Sequence, residues 1–228
     1  MNDLDSVNDL NGVDNLDSIL KTGSTQMGLE ISAQQLTKLR AYVDLLVKWN
    51  RVYNLTAVRN PEEMISRHIL DSLSVLPHVE KVIHNKGTLL DVGSGPGLPG
   101  IPLAIMLPDR DISTLDCIGK KTRFQMQVCT ELGLDNVTVL NQRVESWQVE
   151  NGYDGIISRA FSSMVHMVNG TEHLLRSGGL WLTMKGVHPE QELAELAQAC
   201  PTVGMSACHT LHVAGCDGQR HLVILERK

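Results

Sequence analysis

A glycine-rich segment, Asp-Val-Gly-Ser-Gly-Pro-Gly-Leu-Pro-Gly at 91–100, is the feature that most constrains how this chain can fold. It follows the short apolar run 88–90 and leads into a second apolar run at 101–105. A strand, a glycine turn and a helix in direct succession are typical of the first unit of an open parallel sheet, and such sheets bind ligands at the carboxyl ends of their strands. Four glycines at this point therefore predict a ligand-binding loop.

The chain from residue 88 onward alternates between short apolar runs and amphipathic segments. This alternation predicts an α/β fold with a mostly parallel sheet, covered by helices on both faces. The last two apolar runs have the turn dipeptide Asp217-Gly218 and no helix between them, so they predict a C-terminal antiparallel hairpin. We predict strands at 88–92, 112–116, 137–141, 153–158, 179–185, 203–213 and 220–227, and helices near 98–107, 119–132, 163–176 and 189–199.

Two amphipathic helices precede the predicted sheet and form an N-terminal helical cap. Ser32 and Gln35 have the spacing of a capping box, and apolar residues behind them recur at helical intervals, which predicts a helix over 32–50. Asn60 is followed by proline and two acidic residues, a combination typical of a second helix start. We expect Pro77 to end that second helix.

The acidic residues of the chain are concentrated near its start. The formal net charge is −6, of which residues 1–30 contribute −5 and the remaining 198 residues −1. The first 28 residues are polar and without firm periodicity, so we predict a flexible extension there. The chain is thus divided into an acidic extension (1–28), a helical subdomain (29–80) and a main domain (81–228). The nearly neutral remainder can present a basic face to a polyanion.

The glycine loop contains the spelling G-x-G-x-x-G at 95–100, which is the fingerprint of dinucleotide-binding proteins. Pro96, Pro99 and Pro102 have no backbone N–H, however, so three potential donors to a pyrophosphate are missing. Asp91 adds negative charge at the end of the preceding strand. These features favour a cationic nucleoside without phosphate, and S-adenosyl-L-methionine, which has an ammonium and a sulfonium, fits that description.

Asp116 ends the predicted second strand, 21 residues after Gly95. An acidic residue at this position can bind ribose hydroxyls, and it can also cap the helix that follows. Both roles stay open, and they are compatible with each other. An NAD(P)-dependent oxidoreductase that uses the G-x-G-x-x-G spelling is the alternative.

The five cysteines are an odd number and include no C-x-x-C pair, so we expect no disulfide framework and a reducing, cytoplasmic location. Cys208, His212 and Cys216 match no common zinc spacing, and we predict no metal. No apolar run approaches the length of a membrane span, and no secretory signal is apparent. We also expect no obligate protein partner.

Six motifs, the glycine loop among them, resemble one known family. The loop "DVGSGPGLPGIPL", with "LDCIGKKTRF", "RVESW", "ISRAF", "MKG" and "RHLVIL" in the same order, is similar to the bacterial ribosomal RNA small subunit methyltransferase G family, from about residue 29 to the C-terminus. The resemblance implies a Rossmann-like class I S-adenosylmethionine-dependent methyltransferase fold. It also implies methylation of N7 of a specific guanine in 16S ribosomal RNA within the small ribosomal subunit. The methylated nucleotide and the choice between naked RNA and assembled subunit stay open.

The resemblance also assigns roles to individual residues. It implies that the cofactor contacts Gly93, Leu98, Val144, Glu145 and Arg159. The loop and strand-end patterns themselves add Ser94, Gly95, Gly97 and Asp116. Seven basic residues fall near the same predicted sheet edge: Lys120, Lys121, Arg123, Arg143, Arg159, Lys185 and Arg220. We assign Arg143, Arg159, Lys185 and Arg220 to positioning of the substrate or its base, and Lys120, Lys121 and Arg123 to RNA binding, with ordinary surface ion pairing as the alternative.

Methylation of guanine N7 requires no general base, because N7 has an available lone pair and loses no proton. Alignment and local electrostatics then account for catalysis. We therefore expect structural roles for two histidines. His68 can hydrogen-bond Asp71, three positions away on one helix, and substrate positioning by the cap is the alternative. His221 points away from Arg220 if both lie in a strand, so we predict that it lies in the core or on a sheet face. A non-catalytic RNA-binding assembly factor is a further alternative.

Overall fold

The protein is built on one seven-stranded sheet. The computed structural model describes residues 4–159, 161 and 163–228. The strands are β1 Thr88–Val92, β2 Asp111–Leu115, β3 Val137–Leu140, β4 Tyr153–Ser158, β5 Leu175–Lys185, β6 Val203–Thr210 and β7 His221–Arg227. Their order is β3-β2-β1-β4-β5-β7-β6; β1 to β5 are parallel, and β7 runs antiparallel between β5 and β6. The predicted α/β fold and its C-terminal hairpin are confirmed.

Helices cover both faces of the sheet. The helices are α1 Leu4–Gln26, α2 Ala33–Tyr53, α3 (Pro61–Met64, a π-helical segment Ile65–Leu70, and Asp71–Leu73), α4 Leu76–Val82, α5 Gly100–Met106, α6 Gly119–Leu132, α7 Met164–Thr171 and α8 Glu190–Ala199. One core cluster packs the helices from α1 through α6 against one face of the sheet, and a second packs α7 and α8 against the other face. Within the described residues, no helix has the length and apolarity needed to cross a membrane.

The predicted starts of α2 and α3 are confirmed. Ser32 Oγ accepts the N–H of Gln35, and the Gln35 side chain accepts the N–H of Ser32 in return. Asn60 Oδ1 accepts the backbone N–H groups of the first turn of α3. The prediction that Pro77 ends a helix is wrong, because α3 ends at Leu73 and Pro77 lies in the first turn of α4. A proline there removes no intrahelical hydrogen bond.

Several of the predicted element ends differ from the structure. Strand β5 begins at Leu175, four residues before its predicted start, and the shift in register between Tyr153 and Gly155 accommodates the extra length. Helix α7 correspondingly ends at Thr171. Strand β6 ends at Thr210 instead of 213.

Helix α1 occupies most of the segment that the sequence predicts to be a flexible extension. Leu20 is fully buried, and the approach of α1 to α3 is so close that a Cβ on Gly23 would clash with the side chain of Leu70. The apolar residues that make this contact are separated by polar ones of low helix propensity, so tertiary packing decides the structure here. Among the described side chains of α1, those of Leu16, Ile19 and Leu20 pack on the core.

Replacing Leu20 tests whether α1 is docked. Leu20→Ala removes a fully buried side chain, so we expect the free energy of unfolding, measured by urea denaturation, to fall by roughly 2–4 kcal/mol. Val187→Ala, at a side chain that is 73% exposed, is the control and should change stability by less than about 0.5 kcal/mol. An equally small change for Leu20→Ala would contradict the docked helix.

Candidate active site

The glycine loop turns across the carboxyl end of β2. Gly93, Gly95 and Gly97 have φ angles of 69°, 60° and 98°, which are strained for residues with a side chain. The N–H groups of Gly93 and Ser94 both donate to the carbonyl of Leu115, at 2.9 and 3.1 Å. The loop is therefore fixed to the neighbouring strand by its backbone, and it keeps that shape only with glycine at these positions.

The carboxylate of Asp116 connects this loop to helix α6. Its Oδ2 accepts the N–H of Gly95 at 2.9 Å, and its Oδ1 accepts the N–H of Ile118 at 2.8 Å. Lys121 Nζ lies 3.7 Å from Oδ2. The N-cap of α6 is Ile118, and no side chain caps this helix, so Asp116 fixes the turn that leads into α6 without capping it. The predicted capping role is therefore wrong, and the ribose contact stays a prediction.

Gln125 fixes the other side of the loop, and the sequence prediction missed it. Its side-chain amide donates to Ser94 Oγ at 2.9 Å and to the carbonyl of Gly95 at 2.7 Å, and all of these groups are buried. Leu98 packs in the core. A glutamine inside the apolar face of a predicted helix is the only sequence signal that could have indicated this contact.

A first cavity of about 300 Å³ opens at the carboxyl ends of β1, β2 and β3. Of the predicted cofactor residues, it is lined by Gly93, Asp116, Val144 and Glu145, whereas Ser94, Gly95, Gly97, Leu98 and Arg159 do not line it. Val92, Leu115, Ile118 and Phe161 provide apolar walls, and Arg143 lies at the same cavity. Apolar walls suit a nucleobase, and two carboxylates suit hydroxyl and cationic groups better than a pyrophosphate. The residues present therefore fit S-adenosylmethionine.

Asp91 does not belong to the wall of this cavity, contrary to the sequence prediction that its charge faces the ligand. It is fully buried, and its Oδ2 accepts the N–H of Gly100 at the start of α5, at 2.8 Å. A Cβ on Gly100 would lie only 2.9 Å from that oxygen, so glycine permits the contact. Burial raises the pKa of the Asp91 carboxyl to about 7. The carboxylates that face the cavity are those of Asp116 and Glu145.

A second cavity of about 360 Å³ lies at the carboxyl ends of β4 and β5. Asp71, on α3, reaches into it and forms two ion pairs there. Its Oδ2 accepts from Arg159 Nη1 and its Oδ1 from Arg220 Nε, both at 2.9 Å. Lys185 lines the same cavity and pairs with Glu192 at 2.8 Å. One buried carboxylate thus joins a cap helix to the ends of two strands.

The predicted basic residues are therefore divided between different places. Arg159, Lys185 and Arg220 line the second cavity, and Arg143 and Lys121 line the first. Lys120 and Arg123 lie at neither cavity. Lys120 Nζ donates to the carbonyl of Tyr53, and Arg123 Nε donates to that of Gly119.

His68 and His221 also line the second cavity. The predicted hydrogen bond between His68 and Asp71 is wrong, whereas the predicted burial of His221 is confirmed. His68 donates from Nδ1 to the carbonyl of Arg67, and its Nε2 contacts Thr56 Oγ1 at 2.8 Å, so it forms no hydrogen bond with Asp71. Burial, with Arg159 nearby, lowers the pKa of His68 to about 4 and keeps the ring neutral. Arg220 precedes β7, which begins at His221, so the alternation of side-chain directions along a strand does not apply to Arg220. Both residues therefore line the same cavity.

The strand order, the glycine loop after β1 and the acidic residue at the end of β2 define a class I S-adenosylmethionine-dependent methyltransferase. The chain is similar to an S-adenosylmethionine-dependent methyltransferase from Aquifex aeolicus (TM-score 0.55, 17% identity, 75% of this chain and 96% of that one). It is also similar to TYW2 from M. jannaschii in complex with AdoMet (TM-score 0.53, 12% identity, 69% and 77%). At these identities the likeness concerns the fold.

The sequence comparisons identify the family. The GidB model, rRNA small subunit methyltransferase G, matches residues 35–223. Ribosomal RNA small subunit methyltransferase G of Pseudomonas putida (strain F1) is 54% identical over 210 residues, which cover 92% of this chain and 94% of that protein. The protein of the same name from Pseudomonas syringae pv. syringae (strain B728a) is 52% identical over 209 residues, covering 91% and 94%. The chain belongs to the rRNA small subunit methyltransferase G family, and its cofactor is S-adenosylmethionine.

The buried Asp91 carboxyl predicts a specific pH dependence of stability. Its pKa of about 7 lies above 3.8, the ordinary value for an aspartate, so between these two pH values the folded protein binds more protons here than the unfolded chain does. The contribution of this group to stability therefore falls as the pH rises through that interval. Asp91→Asn keeps an oxygen acceptor for the Gly100 N–H, and we expect the stability of the variant relative to the wild type to increase from about pH 4 to about pH 7.

Urea denaturation at several pH values measures this difference. Asp109→Asn, at an exposed acidic residue, corrects for the loss of a carboxyl group at the surface. A relative stability of Asp91→Asn that stays level or decreases with rising pH would contradict a proton-binding carboxyl at this position.

Proposed function

We propose that the protein transfers the methyl group of S-adenosylmethionine to N7 of a specific guanine in 16S ribosomal RNA, within the small ribosomal subunit. The observation that supports this most directly is the pair of cavities at one sheet edge. Phe161 lines the first, and its carbonyl accepts from Lys185 Nζ of the second at 3.4 Å. A nucleoside-type cavity thus adjoins a cationic one, as methyl transfer to a polyanion requires.

The first cavity holds the cofactor in this proposal, and we call it the cofactor cavity. Gly93, Asp116, Val144 and Glu145 contact it directly, and Ser94, Gly95, Gly97 and Leu98 shape the loop that lies against it. When bound, S-adenosylmethionine supplies an electrophilic methyl group. Arg143 is at the rim of this cavity, where it can meet both the cofactor and the RNA.

The second cavity receives the target nucleotide in this proposal, and we call it the acceptor cavity. The guanidinium groups of Arg159 and Arg220 can donate to the guanine carbonyl oxygen and to phosphate, as arginine does in nucleic-acid complexes. The N7 lone pair forms the new N–C bond while the bond from methyl to sulfur breaks, and no proton is removed. The neutral His68, held by Thr56 and a backbone carbonyl, is accordingly not needed as a base.

We also infer that the protein acts in the cytoplasm. All five cysteines are free thiols in the structure, which agrees with a reducing compartment, and the proposed substrate is a cytoplasmic particle.

Labelled S-adenosylmethionine tests the proposed reaction. With unmethylated small subunits, we expect one labelled guanine, located by strand cleavage at 7-methylguanine. We also expect weaker labelling of stripped RNA, because few aromatic side chains are available to bind unpaired bases. Label on neither substrate would contradict the reaction, and label on naked RNA alone would contradict the subunit as substrate.

Asp71 orients both arginines, so its replacement should impair methyl transfer. Asp71→Asn removes the charge that holds Arg159 and Arg220, and we expect kcat/KM for the subunit to fall by roughly 10- to 100-fold, or about 1.4–2.7 kcal/mol. S-adenosylhomocysteine, which occupies the other cavity, should bind as in the wild type.

Glu62→Gln is the matched control for Asp71→Asn. It removes a carboxylate from an exposed residue of the same helix that lines neither cavity, and the glutamine oxygen can still accept from Asn15, so activity should be unchanged. An Asp71→Asn enzyme with wild-type kcat/KM would show that the arginines are positioned without this carboxylate.

A further inference from the structure

Two basic segments of the chain contain no acidic residue at all. Residues 45–61 comprise the end of α2 and the loop after it, and residues 117–130 comprise the start and middle of α6. Together they contain six cations: Lys48, Arg51, Arg59, Lys120, Lys121 and Arg123. The whole chain has a net charge of −6, so these two segments differ from the rest of the chain in the sign of their charge.

The structure brings the two segments together. Lys120 Nζ donates to the backbone carbonyl of Tyr53 at 2.7 Å. The ring of Trp49 packs between those of Tyr53 and Phe124, at centroid distances of 5.1 and 5.7 Å. The end of α2 and the start of α6 therefore form one surface, which we call the α2–α6 surface and define by Arg51, Tyr53, Arg59, Lys120 and Arg123.

A cleft of about 170 Å³ in this surface contains two arginines. Arg51 and Arg59 line it together with the side chain of Asn54, and no acidic residue lines it. Within the part of the chain that the structure describes, neither guanidinium group forms an ion pair or a hydrogen bond. Two guanidinium groups without a carboxylate partner in one cleft are suited to a phosphate group.

The surface begins at the rim of the cofactor cavity. Ile118 and Lys121 line that cavity, and Lys120 lies between them in sequence. Val52, Tyr53 and Ile118 expose 69%, 42% and 42% of their areas. Exposed apolar side chains among cations, next to a site that is proposed to receive a nucleotide, are typical of a nucleic-acid interface.

We propose that the α2–α6 surface binds the sugar–phosphate backbone of the ribosomal RNA that flanks the target nucleotide, with a phosphate held between Arg51 and Arg59. The inference rests on the proposed function in one respect, namely that ribosomal RNA is the substrate. It adds a second contact region outside the acceptor cavity, on the α2 side of the cofactor. Backbone contacts of this kind set the register and orientation of a substrate without reading its sequence.

Binding to isolated small ribosomal subunits tests this inference without turnover. The protein is labelled with a fluorophore, and its dissociation constant is measured at several salt concentrations in the presence of S-adenosylhomocysteine. For the double variant Arg51→Gln/Arg59→Gln, we expect a dissociation constant about tenfold higher and a plot of log K against log salt that is less steep by about 1 to 2. Both arginines are exposed, so folding should be retained.

The matched control is Lys81→Gln/Lys86→Gln. It removes two positive charges from exposed residues that precede β1, at the opposite edge of the sheet from the cavities, and should leave binding and its salt dependence unchanged. If Arg51→Gln/Arg59→Gln binds subunits as the wild type does, with the same salt dependence, or if the control weakens binding equally, the inference is overturned.

The failure of the proposed reaction would look different. A wild-type protein that binds subunits through this surface but transfers no methyl group would overturn the proposed reaction and leave the inference about the surface in place.

Discussion

The two hydrogen bonds that the Asp116 carboxylate accepts determine the geometry of the cofactor end of the protein. One comes from the glycine loop and the other from the start of α6, so a single side chain sets the distance between these elements. Gln125 completes the arrangement from the helix side by binding the next stretch of the loop. The loop lacks several N–H donors because of its prolines, and its shape therefore depends on these side-chain contacts more than in a loop that folds around phosphate.

Asp71 has the corresponding position at the acceptor cavity, but its energetic role is different. A buried carboxylate with two arginines contributes little net stability, because desolvation of the charges offsets their attraction. What it provides is geometry: two long, flexible side chains lose most of their freedom before any substrate arrives. The cap helix is in this sense part of the site, although it lies outside the sheet that defines the methyltransferase fold.

Local sequence patterns were sufficient for much of this architecture. The capping box of α2, the Asn60 cap, strand β4 and helix α6 depend on neighbouring residues, and they are observed as predicted. The contacts that the sequence did not reveal join distant parts of the chain. Asp71 is 88 residues from Arg159 and 149 from Arg220, and no spacing rule relates positions so far apart. The docking of α1 and the burial of Asp91 were missed for the same reason, since both depend on which surface covers them.

The π-helical segment within α3 has a consequence for the site. Each residue of an α-helix advances the side-chain direction by about 100°, so one extra residue in a turn rotates everything that follows by that angle. The segment Ile65–Leu70 is almost wholly buried, with Leu70 against α1 and His68 at the acceptor cavity, and Asp71 follows it directly. The irregular turn thus lets one helix present apolar side chains to two different partners and still direct a carboxylate toward the arginines. Deleting one residue from this turn would change the phase of the helix and so the direction of Asp71, whereas replacing one of the apolar side chains around it would change only the packing.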